Sequence, residues 1–239
     1  MPAEAKSNLA DELKAQWGTN DFDKKLERFI DLDLVLLGVP EEYYELLTPI
    51  IYSYCCGYYY PAMTGAGSLG ERILNRLILK TRDHFKSTDE YKKIYRKNSF
   101  DQWDQPVNIL EGWGVISNVV ADAFLNLKQY RNESIHYNDG YNFQSNARAA
   151  VKLLAKIIDL QFNYMKRNDL FWVFTVPGEI WVRSEATDQP FVKEFILPHC
   201  LHLTAYCEPT ATPPKKGANA PLKPIKDEDF LEARKNRAG

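Results

Sequence analysis

Long apolar runs are missing from this 239-residue chain. The greasiest stretch, Leu46 to Tyr60, is interrupted by Thr48, Pro49, Ser53 and Gly57. That falls short of the roughly 18 unbroken residues a membrane helix needs, so no membrane partner is expected. Met1 to Asn20 is polar and charged, with no apolar core ahead of a cleavage site, and no export signal is expected. Cysteine is scarce, with four in the chain. Without an export signal this predicts reduced thiols and a cytoplasmic location. An excess of one charge is also absent. The formal net charge is −2, so a nucleic-acid partner would have to be held by local basic surfaces. Gly65-Ala66-Gly67-Ser68 lacks the lysine of a phosphate-cradling loop. The spacing of His199, Cys200, His202 and Cys207 fits no standard zinc pattern. These read as core cysteines and surface histidines, and neither a metal nor a cofactor is expected.

Helical periodicity is abundant. Ala3 to Trp17 and Asp21 to Leu37 read as two short helices, the second with Phe22, Leu26, Phe29, Ile30, Asp33 and Leu37 at helical spacing. Pro40-Glu41-Glu42 is a good helix start, and that helix is expected to run to about Tyr59. Pro61 to Gly67, with one proline and two glycines, reads as a loop. Ser68-Leu69-Gly70-Glu71 fits a capping box, opening a helix to about Phe85 with Ile73, Leu74, Leu77 and Ile78 towards a core. Lys86 to Asn108 reads as a charged, exposed segment. Val115 to His136 carries a stripe of Ile116, Val119, Val120, Ala123, Phe124 and Leu127. Asn138-Asp139-Gly140 is a turn signal. Phe143 to Met165 puts Ala147, Ala150, Val151, Leu154, Ile157 and Ile158 on one face.

The period then changes. Phe171 to Val176 and Glu179 to Arg183 are β-prone runs separated by Pro177-Gly178, and Phe191 to Leu197 and Leu201 to Tyr206 are candidates for two more strands. From Glu208 to Lys226 proline, alanine and lysine dominate, as in a flexible linker. The expected organisation is a helical bundle over 1–168, a small β element packed on it over 169–207, and a flexible tail over 208–239.

The chemistry-bearing candidate sits at the end of the strongest amphipathic helix. Arg131 follows Leu127 by four residues, so the apolar stripe runs straight into an arginine. A charge there is costly unless it is paired or lines a cleft. His136 is five residues further, about 140° round a regular helix. The two side chains converge only if the helix ends or distorts between them, or if a partner surface completes the site. A histidine in the last turn feels the negative helix end, which favours its protonated form. The same residues can also simply cap carbonyls at a helix end.

Arg131-Asn132-x-x-x-His136 resembles the signature of the HEPN superfamily, helical domains with an Arg-x4–6-His motif, often with asparagine after the arginine. The resemblance is at the level of the motif and spans about Glu41 to Met165. It implies a metal-independent endoribonuclease that dimerises to bring two motifs into one cleft, serving as a toxin or an antiviral abortive-infection effector, with an antitoxin or regulatory protein as a possible further partner. Carried over, Arg131 holds the scissile phosphate, His136 is the acid/base, and Asn132 orients one of them. In one variant of the family a partner enzyme modifies a tyrosine two residues after the histidine. Here asparagine stands at that place and Tyr137 directly follows His136, so the modification does not carry over.

Two cationic stripes offer RNA contacts. Arg72, Arg76 and Lys80, and Arg148, Lys152 and Lys156, each recur at four-residue intervals, rising about 6 Å per step. Tyr137 is counted with them as an RNA contact. Solvated helix faces explain the stripes equally. Glu71 is a possible cleft acid, as polar residues near this point often are in the family, and its capping role explains it as well. Cys55-Cys56 reads as packing, and Tyr58-Tyr59-Tyr60 as core or dimer contact rather than a base-stacking platform. The whole reads as a mainly α, HEPN-like bundle with a small C-terminal β hairpin or sheet, acting on RNA. The alternative is a non-catalytic module binding a nucleotide or partner in the same cleft.

Overall fold

The computed structural model describes residues 3–34, 39–136, 142–163, 172–173, 181–182 and 186–199. Two compact units divide the chain, Met1–Lys166 and Arg167–Gly239. The described residues of the first form helices: α1 (Ala3–Trp17), α2 (Phe22–Leu32), α3 (Glu41–Cys55), α4 (Tyr59–Thr81), α5 (Asp89–Ile94), α6 (Asp104–Gly112), α7 (Asn118–Ile135) and α8 (Phe143–Phe162). Among the described residues no helix is long and apolar enough to cross a membrane.

The central element is α4, which packs against α3, α6, α7 and α8. Its expected core residues Ile73, Leu74, Leu77 and Ile78 are fully buried. It begins earlier than the sequence suggests. Pro61 to Gly67 is not a loop, and Ser68 to Glu71 lies inside the helix rather than at its start. Pro61 falls in the first turn, where a missing N–H costs nothing. The glycines break no helix because neighbours occupy the space beside them. A Cβ on Gly70 would stand 2.6 Å from Leu127 Cδ2 and 3.0 Å from Trp103 Cη2. Glycine's weak propensity is offset here by closer helix packing.

The α7 and α8 stripes pack as their periodicity predicts. Val120, Ala123, Phe124 and Leu127 on α7 are buried, although Val119 is exposed. All six expected α8 core residues are buried. Ser117 and Asn142 cap the two helices, their side-chain oxygens accepting from Val120 N and Ser145 N. The α2 helix stops at Leu32, with Asp33 in the left-handed region (φ 47°), so Asp33 does not continue the stripe.

The segment from Lys86 to Asn108 is not merely an exposed linker. It holds α5 and the start of α6, and Ile94, Phe100, Trp103 and Val107 are buried. Charge around each apolar residue hides their periodicity. Asn75 on α4 pins the connection, donating to the Phe100 carbonyl at 3.1 Å and accepting from its N–H at 2.6 Å.

In the second unit Trp172–Val173 (β1) pairs antiparallel with Trp181–Val182 (β2), with Trp172 opposite Val182. Two-residue strands fall short of the small sheet expected from sequence. Phe191 to Leu197 is not a strand. Val192–Ile196 forms a wide helical turn in which Leu197 N–H bonds the Val192 carbonyl, and Leu197–His199 tightens into a 3-10 turn. Phe191, Val192, Phe195 and Ile196 have helical spacing and are buried. Pro190 at the start favours that conformation. The suggested strand Leu201 to Tyr206, and the tail, lie outside the described residues.

Candidate functional site

Arg131 lies one turn before the end of α7, where its side chain crosses α4. A Cβ on Gly67 would stand 2.7 Å from both Cβ and Cγ of Arg131. With glycine at that point, the arginine stem lies directly on the α4 backbone and its guanidinium reaches the neighbouring turn. There Arg131 Nη2 donates to Glu71 Oε2 at 3.0 Å, and Nη1 donates to Asn132 Oδ1 at 3.2 Å. The same Glu71 oxygen accepts from Trp103 Nε1 at 3.3 Å, and Trp103 is fully buried. Trp103 therefore fixes a carboxylate that in turn fixes the arginine. The Arg131 and Glu71 side chains are 26% and 31% exposed. The pair is thus wetted, and on its own contributes at most about 1 kcal/mol.

The pair forms part of a groove of about 360 Å³ lined by Thr64, Ser68, Glu71, Arg72 and Asn75 of α4, by Asn98 and Ser99 before α6, and by Arg131, Ser134 and Ile135 of α7. The α4 residues recur at helical spacing, so one face of that helix is the floor. Two arginines face one carboxylate, leaving a local positive excess. Ser68, Arg72, Asn98 and Ser99 are exposed, and their side chains make no hydrogen bond or ion pair among the described residues. Thr64 Oγ1 is buried with no hydrogen-bond partner among the described residues. Ser134 is committed, its hydroxyl donating to the Arg131 carbonyl at 2.7 Å.

The sequence-expected residues separate into those the groove collects and those it does not. Arg131, Glu71 and Arg72 line it, and Asn132 holds Arg131 from beside it. His136 is the residue that ends α7. Its backbone is extended (φ −97°, ψ 142°), its N–H bonds the Asn132 carbonyl at 3.1 Å, and it is exposed. The helix does end between Arg131 and His136, as convergence requires, but His136 is not among the groove-lining residues. Tyr137 lies outside the described residues.

The cationic stripes are partly spent on structure. Arg76 pairs with Glu42 and lies 5.8 Å from the Tyr43 ring centre. Arg148 grips Asp31, with Nη2 2.7 Å from Oδ1 and 3.0 Å from the Asp31 carbonyl. That bond and charge hold the Asp31 carboxyl below the usual carboxylate range and push Arg148 up. Lys80 and Lys156 are exposed and Lys152 half-buried. Only Arg72 of the six reaches the groove.

Trp103, Thr64, Asn75, Asn98 and Ser99 were not singled out by the sequence. The capping-box pattern at Ser68 to Glu71 hides the groove floor, because it predicts a helix start in the middle of the face that runs from Thr64 to Asn75. Among the described residues no group of three His, Cys, Asp or Glu side chains is placed to hold a metal ion; of the four candidates near Cys200, only His199 falls within them. No family model matches the chain, and no curated protein or solved structure is similar to it at a significant level.

Proposed function

We propose that this protein is an endoribonuclease of the HEPN type, metal-independent and homodimeric, serving as a toxin or an antiviral effector. One observation carries the reading: an arginine fixed by Glu71 and Asn132 at the wall of an open, net-positive groove. Among the described residues two of its five N–H groups are engaged, which leaves three for phosphate oxygens. In the reaction, the ribose 2′-oxygen forms a bond to the neighbouring phosphorus while the bond to the departing 5′-oxygen breaks. The proton of the 2′-hydroxyl leaves and the 5′-oxygen gains one, transfers suited to His136. Arg131 neutralises the charge that gathers on the phosphate oxygens. A second copy would supply a second arginine and histidine to the same cleft.

The position of His136 beyond the groove wall favours a second reading, a non-catalytic module that binds a nucleotide or partner. Purified protein incubated with total RNA in EDTA separates the two. Catalysis predicts products ending in 2′,3′-cyclic phosphate and resistance of DNA. It also predicts loss of cleavage in His136→Ala without loss of fold. Arg131→Lys should be damaged nearly as much as Arg131→Ala, because a point charge cannot bridge two oxygens as a guanidinium does. Cleavage that requires magnesium, or products ending in a 3′-hydroxyl, would overturn the mechanism. Binding without cleavage would establish the module.

A further inference from the structure

The contacts of the two glycines give the groove a direction. Gly70 of α4 faces Leu127 of α7, and Gly67 faces Arg131, so numbers fall along α4 as they rise along α7 and the helices run antiparallel. Thr64 therefore shares one end of the groove with Ser134 and Ile135. Ser68, Arg72 and Arg131 occupy the middle. Asn75, whose amide is bonded to Phe100, holds Asn98 and Ser99 at the other end. From Thr64 to Asn75 the helical rise is about 16 Å, longer than one nucleotide.

We infer that the groove takes one dinucleotide step of a single strand, with its phosphate between Arg72 and Arg131 and one of its two bases read by Asn98 and Ser99. This rests on the reading of the protein as an RNA-acting one. Three features support it. Positive charge is confined to the middle of the groove, where a single phosphate would sit. An asparagine amide and a serine hydroxyl each offer both a donor and an acceptor, which is the chemistry of a base edge, and neither side chain is hydrogen-bonded among the described residues. Their backbone is anchored through Phe100, so the pair is presented from a fixed position. At the opposite end Ile135 offers an apolar surface that does not discriminate between bases.

The test uses the full chain and the sixteen 2′-deoxy dinucleoside monophosphates, which lack the internal nucleophile and persist as ligands, with inorganic phosphate for comparison. Titration should show affinity varying about fivefold or more with the base at one position and within about twofold at the other. Asn98→Ala and Ser99→Ala, exposed substitutions expected to leave the fold intact by circular dichroism, should flatten that preference while binding persists. Arg72→Ala should weaken all sixteen alike. Equal affinity for every dinucleotide would overturn the inference. So would a preference surviving in both Asn98→Ala and Ser99→Ala, phosphate binding as tightly as the dinucleotides, or no binding. The parent reading fails separately. A base preference without RNA cleavage leaves a binding module with this groove, whereas cleavage without a preference leaves a nuclease that reads RNA elsewhere.

Discussion

Replacing Gly67 with alanine adds one methyl group at the point where α4 and the Arg131 stem meet. That methyl carbon would stand 2.7 Å from Arg131 Cβ and Cγ and 3.3 Å from its Cα. The obstructing atoms are the root of the side chain and the α7 backbone, so a rotamer change cannot clear them. The helices must separate or α7 must slide. Overpacking of this kind costs about 1–3 kcal/mol, against a gain of up to about 1 kcal/mol from replacing a mid-helix glycine. The expected net loss is about 1–2 kcal/mol, seen as a lower urea midpoint with an unchanged slope. Gly112→Ala is the control. It lies in α6 with nothing within 4 Å of an added Cβ, so the same substitution should leave stability unchanged or slightly raised. The site should register the strain as well, since any shift of α7 draws Arg131 away from Glu71. RNA cleavage or dinucleotide binding should then fall in Gly67→Ala and remain in Gly112→Ala. A Gly67→Ala protein as stable as Gly112→Ala, with its function retained, would refute the claim that this glycine sets the approach of arginine to α4.

Trp103→Phe removes the indole donor from Glu71 Oε2 and leaves a gap in a fully buried position. A loss of about 1–3 kcal/mol in urea unfolding is expected, and no loss would show that the carboxylate does not depend on it. Asp31 is held below its ordinary pKa by Arg148, so their link stabilises the fold at neutral pH and is lost as pH falls through the depressed folded pKa. Arg148→Ala should be slightly less stable at pH 7, by less than about 1 kcal/mol for a pair this exposed. The difference should shrink below about pH 4, and a gap that widens in acid would contradict the assignment. Light scattering at tens of micromolar should show a dimer; an active monomer would remove the shared cleft from the proposal.

Reading the sequence succeeded where a stripe faces a single core. The α8 face from Ala147 to Ile158 is a helical repeat with one buried side, and period alone places it. It failed where a residue's role depends on what lies beside it. Gly65 and Gly67 read as helix breakers because nothing in the chain says that Ile50 and Arg131 will occupy the space a Cβ would take. Ile94, Phe100, Trp103 and Val107 lie in a stretch whose composition predicts exposure, because short helices dilute four apolar anchors among lysines and aspartates. Beyond α8, branched and aromatic composition favoured strands at Phe191 to Leu197, yet the spacing of the apolar residues there is helical and the chain follows the spacing.

The expectation for Arg131 had the firmest physical basis, because an arginine continuing an apolar stripe must be paired or line a cleft. The structure shows both, and the combination says something about binding. Had Glu71 engaged the whole guanidinium fork, a phosphate could enter only by displacing it, exchanging one anion for another with little gain. Instead one terminal nitrogen points to Glu71 and the other to Asn132. The remaining hydrogens are left for a second anion, and Arg72, which lines the same groove, has no ion pair among the described residues. The carboxylate then acts as a tether that lowers the entropy lost when the arginine is fixed on a ligand. Arg131 and Arg72 together outweigh it in charge, so an anion entering the middle of the groove still meets net attraction.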